Sequence, residues 1–278
     1  RFDGAGRKTG HSFGRGIMRS AARLTYEQAQ ASFEAGTEPE GLAPGHMASL
    51  YGAFRALLAA REARGTLDLD LPERRVLLDE KGRVSAVVPR ARLDSHRLIE
   101  EFMVAANVCA AEELERLIQP CMYRVHDRPS DLKLEGLRQF LRSMELTLPP
   151  GERRHPRDFA ALLAQVKESP QERLVHETVL RSQSQAAYAP DNIGHFGLAL
   201  ARYAHFTSPI RRYADLLVHR ALIRGLKLGS DGLAEMETAR FQETGEHITA
   251  TERRAAMAER DAVDRYLAAY MSERVGNI

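Results

Sequence analysis

One segment of this chain carries more structural information than any other: Tyr203-Ala204-His205-Phe206-Thr207-Ser208-Pro209-Ile210-Arg211-Arg212-Tyr213. Ser208 is a good helix N-cap, and Pro209 is a good first helical residue. The apolar residues that follow recur at helical spacing, which predicts a helix over about residues 209–227. Arg211 and Arg212 then occupy the third and fourth helical positions.

The start of that predicted helix favours an anion. Free backbone N–H groups and the positive end of the helix dipole meet there, and arginine offers a planar fork that can hold two phosphate oxygens. The segment therefore indicates a phosphate site. An ordinary capped helix, in which Arg211 pairs with Asp215 one turn later, explains the same spacing equally well.

Charge is unevenly distributed along the chain. The net charge is only +2, yet residues 1–24 and residues 201–227 each carry six basic residues and one acidic residue. Two basic segments in an otherwise acidic chain are typical of a local surface for a polyanion. If one polyanion crosses both, we expect them to lie on one surface. Solvated helix faces and exposed loops are the alternative.

Periodicity predicts an α+β fold, in which a small antiparallel sheet is surrounded by many helices. Helices are expected at 26–34, 46–64, 95–118, 131–144, 157–168, 170–182 and 233–273, besides 209–227. Gly65 should end the second helix. Strands are expected at 9–25, 66–71, 75–78, 84–89 and 122–126.

Composition excludes several classes of protein. With 278 residues, 44% of them hydrophobic and 28% charged, the chain is long and apolar enough for a core and is not disordered. No apolar run approaches the length of a membrane span. The two cysteines, Cys109 and Cys121, exclude a disulfide scaffold and make a reducing, cytoplasmic setting the default. The absence of an initiator Met suggests part of a longer protein.

Two further places attract interest as sites. Gly194-His195-Phe196-Gly197 sets a histidine between glycines, so His195 and His205 could contact phosphate or bases, although a single structural hydrogen bond is the commoner role. In the helix at 95–118, Asn107 interrupts an apolar run, and Glu100 lies two turns earlier on the same face. Glu100 could be a general base or lie near a metal, or it could be a solvated residue near the helix start.

Taken together, the longer motifs resemble one family. They are Tyr188-x-Pro190-x-Asn192-x-Gly194-His195-Phe196-Gly197-Leu198-Ala199-Leu200 followed by residues 203–213, with Asp215-Leu216 and His219-Arg220 beyond. Supporting stretches are Arg19-Ser20-Ala21-Ala22-Arg23-Leu24-Thr25-Tyr26, Ile99-Glu100-Glu101-Phe102-Met103-Val104-Ala105-Ala106-Asn107 and Arg124-Val125-His126-Asp127-Arg128-Pro129-Ser130. In this order they resemble the ribonuclease R / ribonuclease II family, and the residues within the motifs are more similar to the ribonuclease R branch.

The resemblance implies processive 3′→5′ hydrolysis of single-stranded RNA to nucleoside 5′-monophosphates. In that family Mg²⁺ is held by aspartates of a motif Asp-x-x-x-x-x-Asp-x-Asp-Asp, which is absent from this sequence and would precede it. The RNA-binding barrels that flank the catalytic domain are absent as well. The resemblance thus predicts that residues 1–278 form a partial RNB-type catalytic domain, monomeric and inactive by itself.

The resemblance also suggests roles for individual residues. Arg211 is similar to the arginine that contacts the phosphate to be cleaved, Glu100 to a glutamate that contacts the terminal nucleotide, and Tyr26 to a tyrosine that stacks near the 3′ end. The remaining expected substrate-binding residues are Asn107, His195, Tyr203, His205, Ser208 and Arg212. Leu69 stands where an aromatic clamp is frequent. A catalytically dead RNA-binding relative and a helical scaffold with incidental basic segments are the alternatives.

Overall fold

The computed structural model describes residues 1–69, 74–89, 91–148, 155–272 and 274. Within them nine α-helices and four short strands form, which confirms the predicted α+β class. The helices are α1 (Tyr26–Glu34), α2 (His46–Arg64), α3 (Asp94–Arg116), α4 (Asp131–Arg142), α5 (Pro156–Gln165), α6 (Glu172–Ser182), α7 (Tyr213–Leu226), α8 (Glu235–Ala239) and α9 (Phe241–Ser272). None of these helices is long and apolar enough to cross a membrane.

The strands form two separate antiparallel pairs. β1 (Arg74–Leu78) and β2 (Val84–Pro89) make the predicted hairpin, in which Val76 faces Val87. β3 (Tyr123–Val125) pairs with β4 (Ala187–Ala189), so that Arg124 faces Tyr188. The sequence did not predict β4, because three residues are too few to show an alternating pattern.

The strand predicted at 9–25 is wrong. Residues 9–20 form no regular structure, and the only described backbone bridge near them joins Phe2 to Lys8. Side chains hold this segment instead. The ring of Phe13 lies edge-on to that of Phe206 at 5.4 Å, and Arg15 pairs with Asp231 at 2.7 Å. A strand needs a partner along its whole length, whereas here only Thr9 and Gly10, at the start of the segment, bond to the backbone of Arg1.

The strand predicted at 66–71 does not form in its described part, residues 66–69; Asp70 and Leu71 lie outside the described residues. This segment is tied to a loop instead. The Leu67 N–H donates to the Gly197 carbonyl at 3.0 Å, and the Thr66 hydroxyl donates to the Leu198 carbonyl at 3.2 Å. Leu67 and Leu69 nevertheless face one side, as their alternation predicted, and pack against the hydrophobic cluster of α4–α6.

Three hydrophobic clusters support the fold. The largest joins the C-terminal half of α3, the β3–β4 pair, α7 and the start of α9, around fully buried residues such as Ala110, Leu114, Met122 and Val218. A second joins α4, α5 and α6 around Leu141, Phe159 and Val175. A third lies where α1 and α2 meet the start of α3. Helix α3 therefore contributes to the first and third clusters and connects them.

An ion pair inside this framework fixes α2 against α3. The Arg61 guanidinium donates to the Glu101 carboxylate at 2.7 Å, and both side chains are largely buried. Helix α2 ends one turn later at Gly65, as predicted, with a φ of 74° in the left-handed region. Arg157, from the first turn of α5, crosses this helix end and donates to the carbonyls of Ala63 and Arg64.

Substitution Gly65→Ala should destabilise the protein. The left-handed backbone costs an L-residue about 1–2 kcal/mol, and the new Cβ would lie 1.9 Å from Cγ of Arg157, which must move and release the two carbonyls. Urea unfolding should therefore give a loss of at least about 2 kcal/mol for Gly65→Ala. Gly82→Ala, which has a similar φ of 74° but open space around its Cβ, is the matched control and should lose less. Equal losses would show that Arg157 adds nothing.

Candidate active site

The segment 208–215 is organised by one buried carboxylate. Asp215 has no exposed surface, and it accepts hydrogen bonds from the Ser208 N–H at 2.7 Å and from Arg212 Nη2 at 2.8 Å. Arg212 Nε lies 2.8 Å from the second oxygen of Asp215. The N–H groups of Arg211 and Arg212 both donate to the Ser208 carbonyl, so the chain turns tightly between Ser208 and Arg212.

This turn corrects the predicted helix start. Helix α7 begins at Tyr213 rather than at Pro209, with Arg212 as its extended N-cap residue, so Ser208 does not cap it and Arg211 is not in its first turn. The physical reason is Asp215, which draws both the Ser208 amide and the Arg212 guanidinium to itself. The alternative, in which Arg211 pairs with Asp215, is wrong as well, because Arg212 is the residue that binds Asp215.

Arg211 is left facing solvent on this turn. Its side chain is exposed, and within the described residues no hydrogen bond or ion pair engages its guanidinium. Its neighbour Ile210 is fully exposed too, so nothing described covers the tip of the turn. A permanently charged, two-pronged donor is thus available to an anion, which is the chemistry expected of a residue that grips a phosphate.

Asn107 links this segment to helix α3. The side chain is 1% exposed, and its Nδ2 donates to the Tyr203 hydroxyl at 3.0 Å while its Oδ1 accepts from the Phe206 N–H at 2.9 Å. Since a buried amide must be satisfied, this pair of bonds fixes the approach of residues 203–206 to α3. Asn107 therefore holds the segment in position from within and is not itself open to a ligand.

Aromatic and histidine rings form a continuous group behind the turn. The Tyr203 ring lies between His195 and His205, with ring centroids 5.3 and 5.6 Å away, and the Tyr188 hydroxyl is 2.8 Å from His205 Nδ1. His195 Nδ1 accepts from the Leu198 N–H at 3.2 Å. The residues predicted from Gly194-His195 and from the 203–213 segment are thus brought together.

Burial keeps both histidines uncharged. It lowers the pKa of His205 to about 2, with further contributions from the charges of Arg212 and Arg124. It lowers the pKa of His195 to about 3, assisted by His126 and Arg124. Near neutral pH both rings are therefore neutral. They can shape the site and accept or donate hydrogen bonds, but they cannot offer a positive charge to a phosphate.

Arg124 belongs to this group although sequence reasoning gave it no role. Its guanidinium lies over the Tyr188 ring, 4.6 Å from the centroid, and pairs with Glu252 of α9 at 2.7 Å. Burial raises the pKa of the Tyr188 hydroxyl to about 12, so this group stays protonated. In the sequence, the only sign of Arg124 was its place in the motif Arg124-Val125-His126.

Tyr26 and Glu100 form a second group, near the start of α3. The Tyr26 ring stacks on His96 with a centroid distance of 4.0 Å and an interplanar angle of 20°. Glu100 is half-exposed and pairs with Arg92 at 3.0 Å; the buried carboxylate of this helix turn is its neighbour Glu101. Because α3 rises 1.5 Å per residue, Glu100 and Asn107 are about 10 Å apart along the helix.

The described residues do not provide a metal site. Among them no three His, Cys, Asp or Glu side chains converge in a way that could hold a metal ion. Mg²⁺ binds carboxylates that have no other partner. Three carboxylates of these segments are already paired with arginines: Asp215 with Arg212, Glu101 with Arg61 and Glu100 with Arg92.

Known proteins match both this sequence and this geometry. Residues 1–227 match the family described as the RNB domain. Ribonuclease R of Aquifex aeolicus is 38% identical over 278 residues, which cover 99% of this chain and 39% of that protein. The structure of Mycoplasma genitalium RNase R in complex with ribose methylated single-stranded RNA aligns with a TM-score of 0.82 and 27% identity, covering 91% of this chain and 40% of that one.

A more distant structural match has a different character. Yeast Ssd1, described as a pseudonuclease, shares the fold with a TM-score of 0.60 at 21% identity over 81% of this chain. The fold alone therefore does not establish catalysis. The chain also spans only about two fifths of the length of the ribonuclease R relatives. The RNB match over most of the chain, together with 38% identity to ribonuclease R, shows that this chain belongs to the RNB domain family of ribonuclease R.

Proposed function

We propose that this chain is the greater part of the catalytic domain of a 3′→5′ exoribonuclease, which hydrolyses single-stranded RNA to nucleoside 5′-monophosphates. The observation that carries the proposal is the state of the two adjacent arginines. Arg212 is bound by the buried Asp215, whereas Arg211 is exposed and has no partner among the described residues. A cation presented in this way is suited to a phosphate.

Arg211 would act on charge that develops during cleavage. As water attacks the scissile phosphate, negative charge grows on its non-bridging oxygens, and a positioned guanidinium stabilises this charge more strongly than it stabilises the bound substrate. The proposed activity includes Mg²⁺, and its ligands are assigned to residues outside those described.

The position of the two basic segments supports a polyanionic substrate. Two contacts bring the segments close to each other: Phe13 contacts Phe206, and Arg15 donates to the Leu228 carbonyl just beyond the second segment. Tyr26 follows the first basic segment and presents a partly exposed ring stacked on His96. Base stacking on such a ring is worth roughly 1–3 kcal/mol and does not depend on sequence.

A catalytically dead RNA-binding relative is the second candidate. The fold shared with the pseudonuclease Ssd1 favours it, because the same architecture there carries that description. The exposed Arg211 favours the enzyme. A surface that only binds RNA does not need one arginine kept free of its neighbours, whereas cleavage needs such a cation at the scissile phosphate. Hydrolysis by the intact protein separates the two candidates directly.

The intact protein should release nucleoside 5′-monophosphates from the 3′ end of a single-stranded oligoribonucleotide, and a chelator should stop the release. Chromatography of the products of a uniformly labelled substrate measures it. Binding without release would favour the RNA-binding relative. Binding that did not weaken as salt rises would contradict both candidates, because contacts to phosphates release counterions.

Substitution Arg211→Lys should slow cleavage by about 10²–10³-fold, because lysine keeps the charge but loses the two-pronged geometry at the scissile phosphate. RNA affinity should change little, since binding is spread over many phosphates and stacked bases. Single-turnover cleavage and equilibrium binding, measured on the intact enzyme, test this separation.

Two outcomes would contradict the role given to Arg211. A parallel fall of rate and affinity by one factor would make it a general binding residue. An unchanged rate would remove it from the site altogether.

Substitution Asp215→Asn should destabilise the protein by about 3–5 kcal/mol, because it leaves the largely buried Arg212 without its counter-charge. Asp231→Asn is the matched control: it breaks the half-exposed pair with Arg15 and should cost much less, because solvent screens that pair. Thermal or urea unfolding measures both. Similar losses for the two variants would show that Asp215 does not organise the turn.

A further inference from the structure

Five side chains of alternating charge connect Glu100 of the second group to the buried Glu101. Glu100 pairs with Arg92 at 3.0 Å, Arg92 with Asp68 at 3.3 Å, Asp68 with Arg61 at 3.5 Å, and Arg61 with Glu101 at 2.7 Å. The chain of pairs starts and ends on adjacent residues of α3 and passes through α2 and the segment 66–69. We call it the charge chain.

The two ends of the charge chain differ in burial, and its middle member, Asp68, is 42% exposed. The side chain of Glu100 is 49% exposed and that of Arg92 is 33% exposed, whereas Arg61 and Glu101 are 12% and 6% exposed. An isolated ion pair at the surface restrains its two side chains weakly. Water weakens the electrostatic attraction, and the attraction must offset the conformational entropy that both long side chains lose. Here the outer pair is attached to an inner pair that the protein interior already fixes.

Arg92 is the member that transmits this order to Glu100. Its Nη2 lies against Glu100 and its Nη1 against Asp68, so the planar fork bridges the two carboxylates. Asp68 is itself restrained, because the residues just before it are hydrogen-bonded to Gly197 and Leu198. A rigid fork with one prong on a restrained carboxylate leaves the other carboxylate little freedom.

Glu100 also lies beside the stacking surface of the second group. His96, on which Tyr26 stacks, is four residues earlier on α3 and therefore on the same face, one turn away. A nucleotide whose base stacks beside Tyr26 would bring its sugar towards the Glu100 carboxylate. That contact is useful only if the carboxylate stays where the sugar arrives.

We infer that Arg92, anchored by Asp68, is a positioning residue that holds the Glu100 carboxylate in place for the terminal nucleotide of the RNA. The inference rests on the proposed function. Arg92 acts through Glu100, and its loss should be felt in the rate of cleavage more than in RNA binding. A displacement of about 1 Å at a reacting centre costs up to about a hundredfold in rate.

The test uses four variants of the intact enzyme: Arg92→Ala, Arg92→Lys, Glu100→Gln, and Arg92→Ala combined with Glu100→Gln. For Arg92→Ala we expect kcat to fall about ten- to a hundredfold while KM stays within about twofold. Arg92→Lys should recover part of the loss, because it can reach one carboxylate but cannot bridge two. In the Glu100→Gln background, Arg92→Ala should have almost no further effect.

Arg83→Ala is the matched control. The Arg83 side chain is 72% exposed and pairs with Asp79 at 3.2 Å in the β1–β2 hairpin, and neither residue is a member of the charge chain. Its removal should leave kcat and KM unchanged. Thermal unfolding of every variant shows whether a loss of activity comes from a loss of fold.

Each result supports or overturns the inference. If Arg92→Ala lowers kcat by the same factor with Glu100 and in the Glu100→Gln background, Arg92 does not act through Glu100. If kcat is unchanged, or only KM rises, positioning is excluded. If the wild type does not hydrolyse RNA, or Glu100→Gln equals the wild type, the proposed function or its Glu100 assignment has failed, and the inference fails with it.

Discussion

A carboxylate without any exposed surface is costly unless its oxygens are engaged, and Asp215 is in this position. Two donors bind it, the Ser208 amide and the Arg212 guanidinium, which are close in sequence but approach from different directions. Satisfying both bends the chain into the turn that delays helix α7 until Tyr213. Because one arginine of the pair is used internally, the other is presented outward. The exposed charge at Arg211 is therefore a consequence of the buried charge at Asp215.

Helix α3 relates the two parts of the site to each other. Near its middle, Asn107 holds residues 203–206, while Glu100 two turns earlier and His96 three turns earlier belong to the second group. The helix is itself fixed to α2 through the buried pair of Glu101 and Arg61. A rigid helix with a defined rise keeps the two groups at a constant separation, which a substrate that contacts both of them requires.

How far the sequence predicted this structure depended on whether a feature was local. Helices α2 and α3 were predicted well, because periodic apolar residues and Gly65 are signals within the segment itself. The strand at 9–25 failed because a strand depends on a partner elsewhere. The helix start at Ser208 failed for a related reason: a good local cap lost to Asp215, which lies seven residues away and whose burial the sequence cannot show. Asn107 was recognised as a buried amide, but its partners, Tyr203 and Phe206, were not.

The choice of arginine for the outward charge follows from the surroundings of the turn. The motif contains two histidines that resemble phosphate ligands, yet burial and the neighbouring arginines hold their pKa values so low that protonation would cost several kcal/mol at neutral pH. A lysine at this exposed position would keep its charge as well, but only a guanidinium adds a planar, two-pronged donor. The positive charge of this turn therefore comes from an arginine rather than from either histidine. The neutral rings define the shape of the site, and Arg211 supplies its charge.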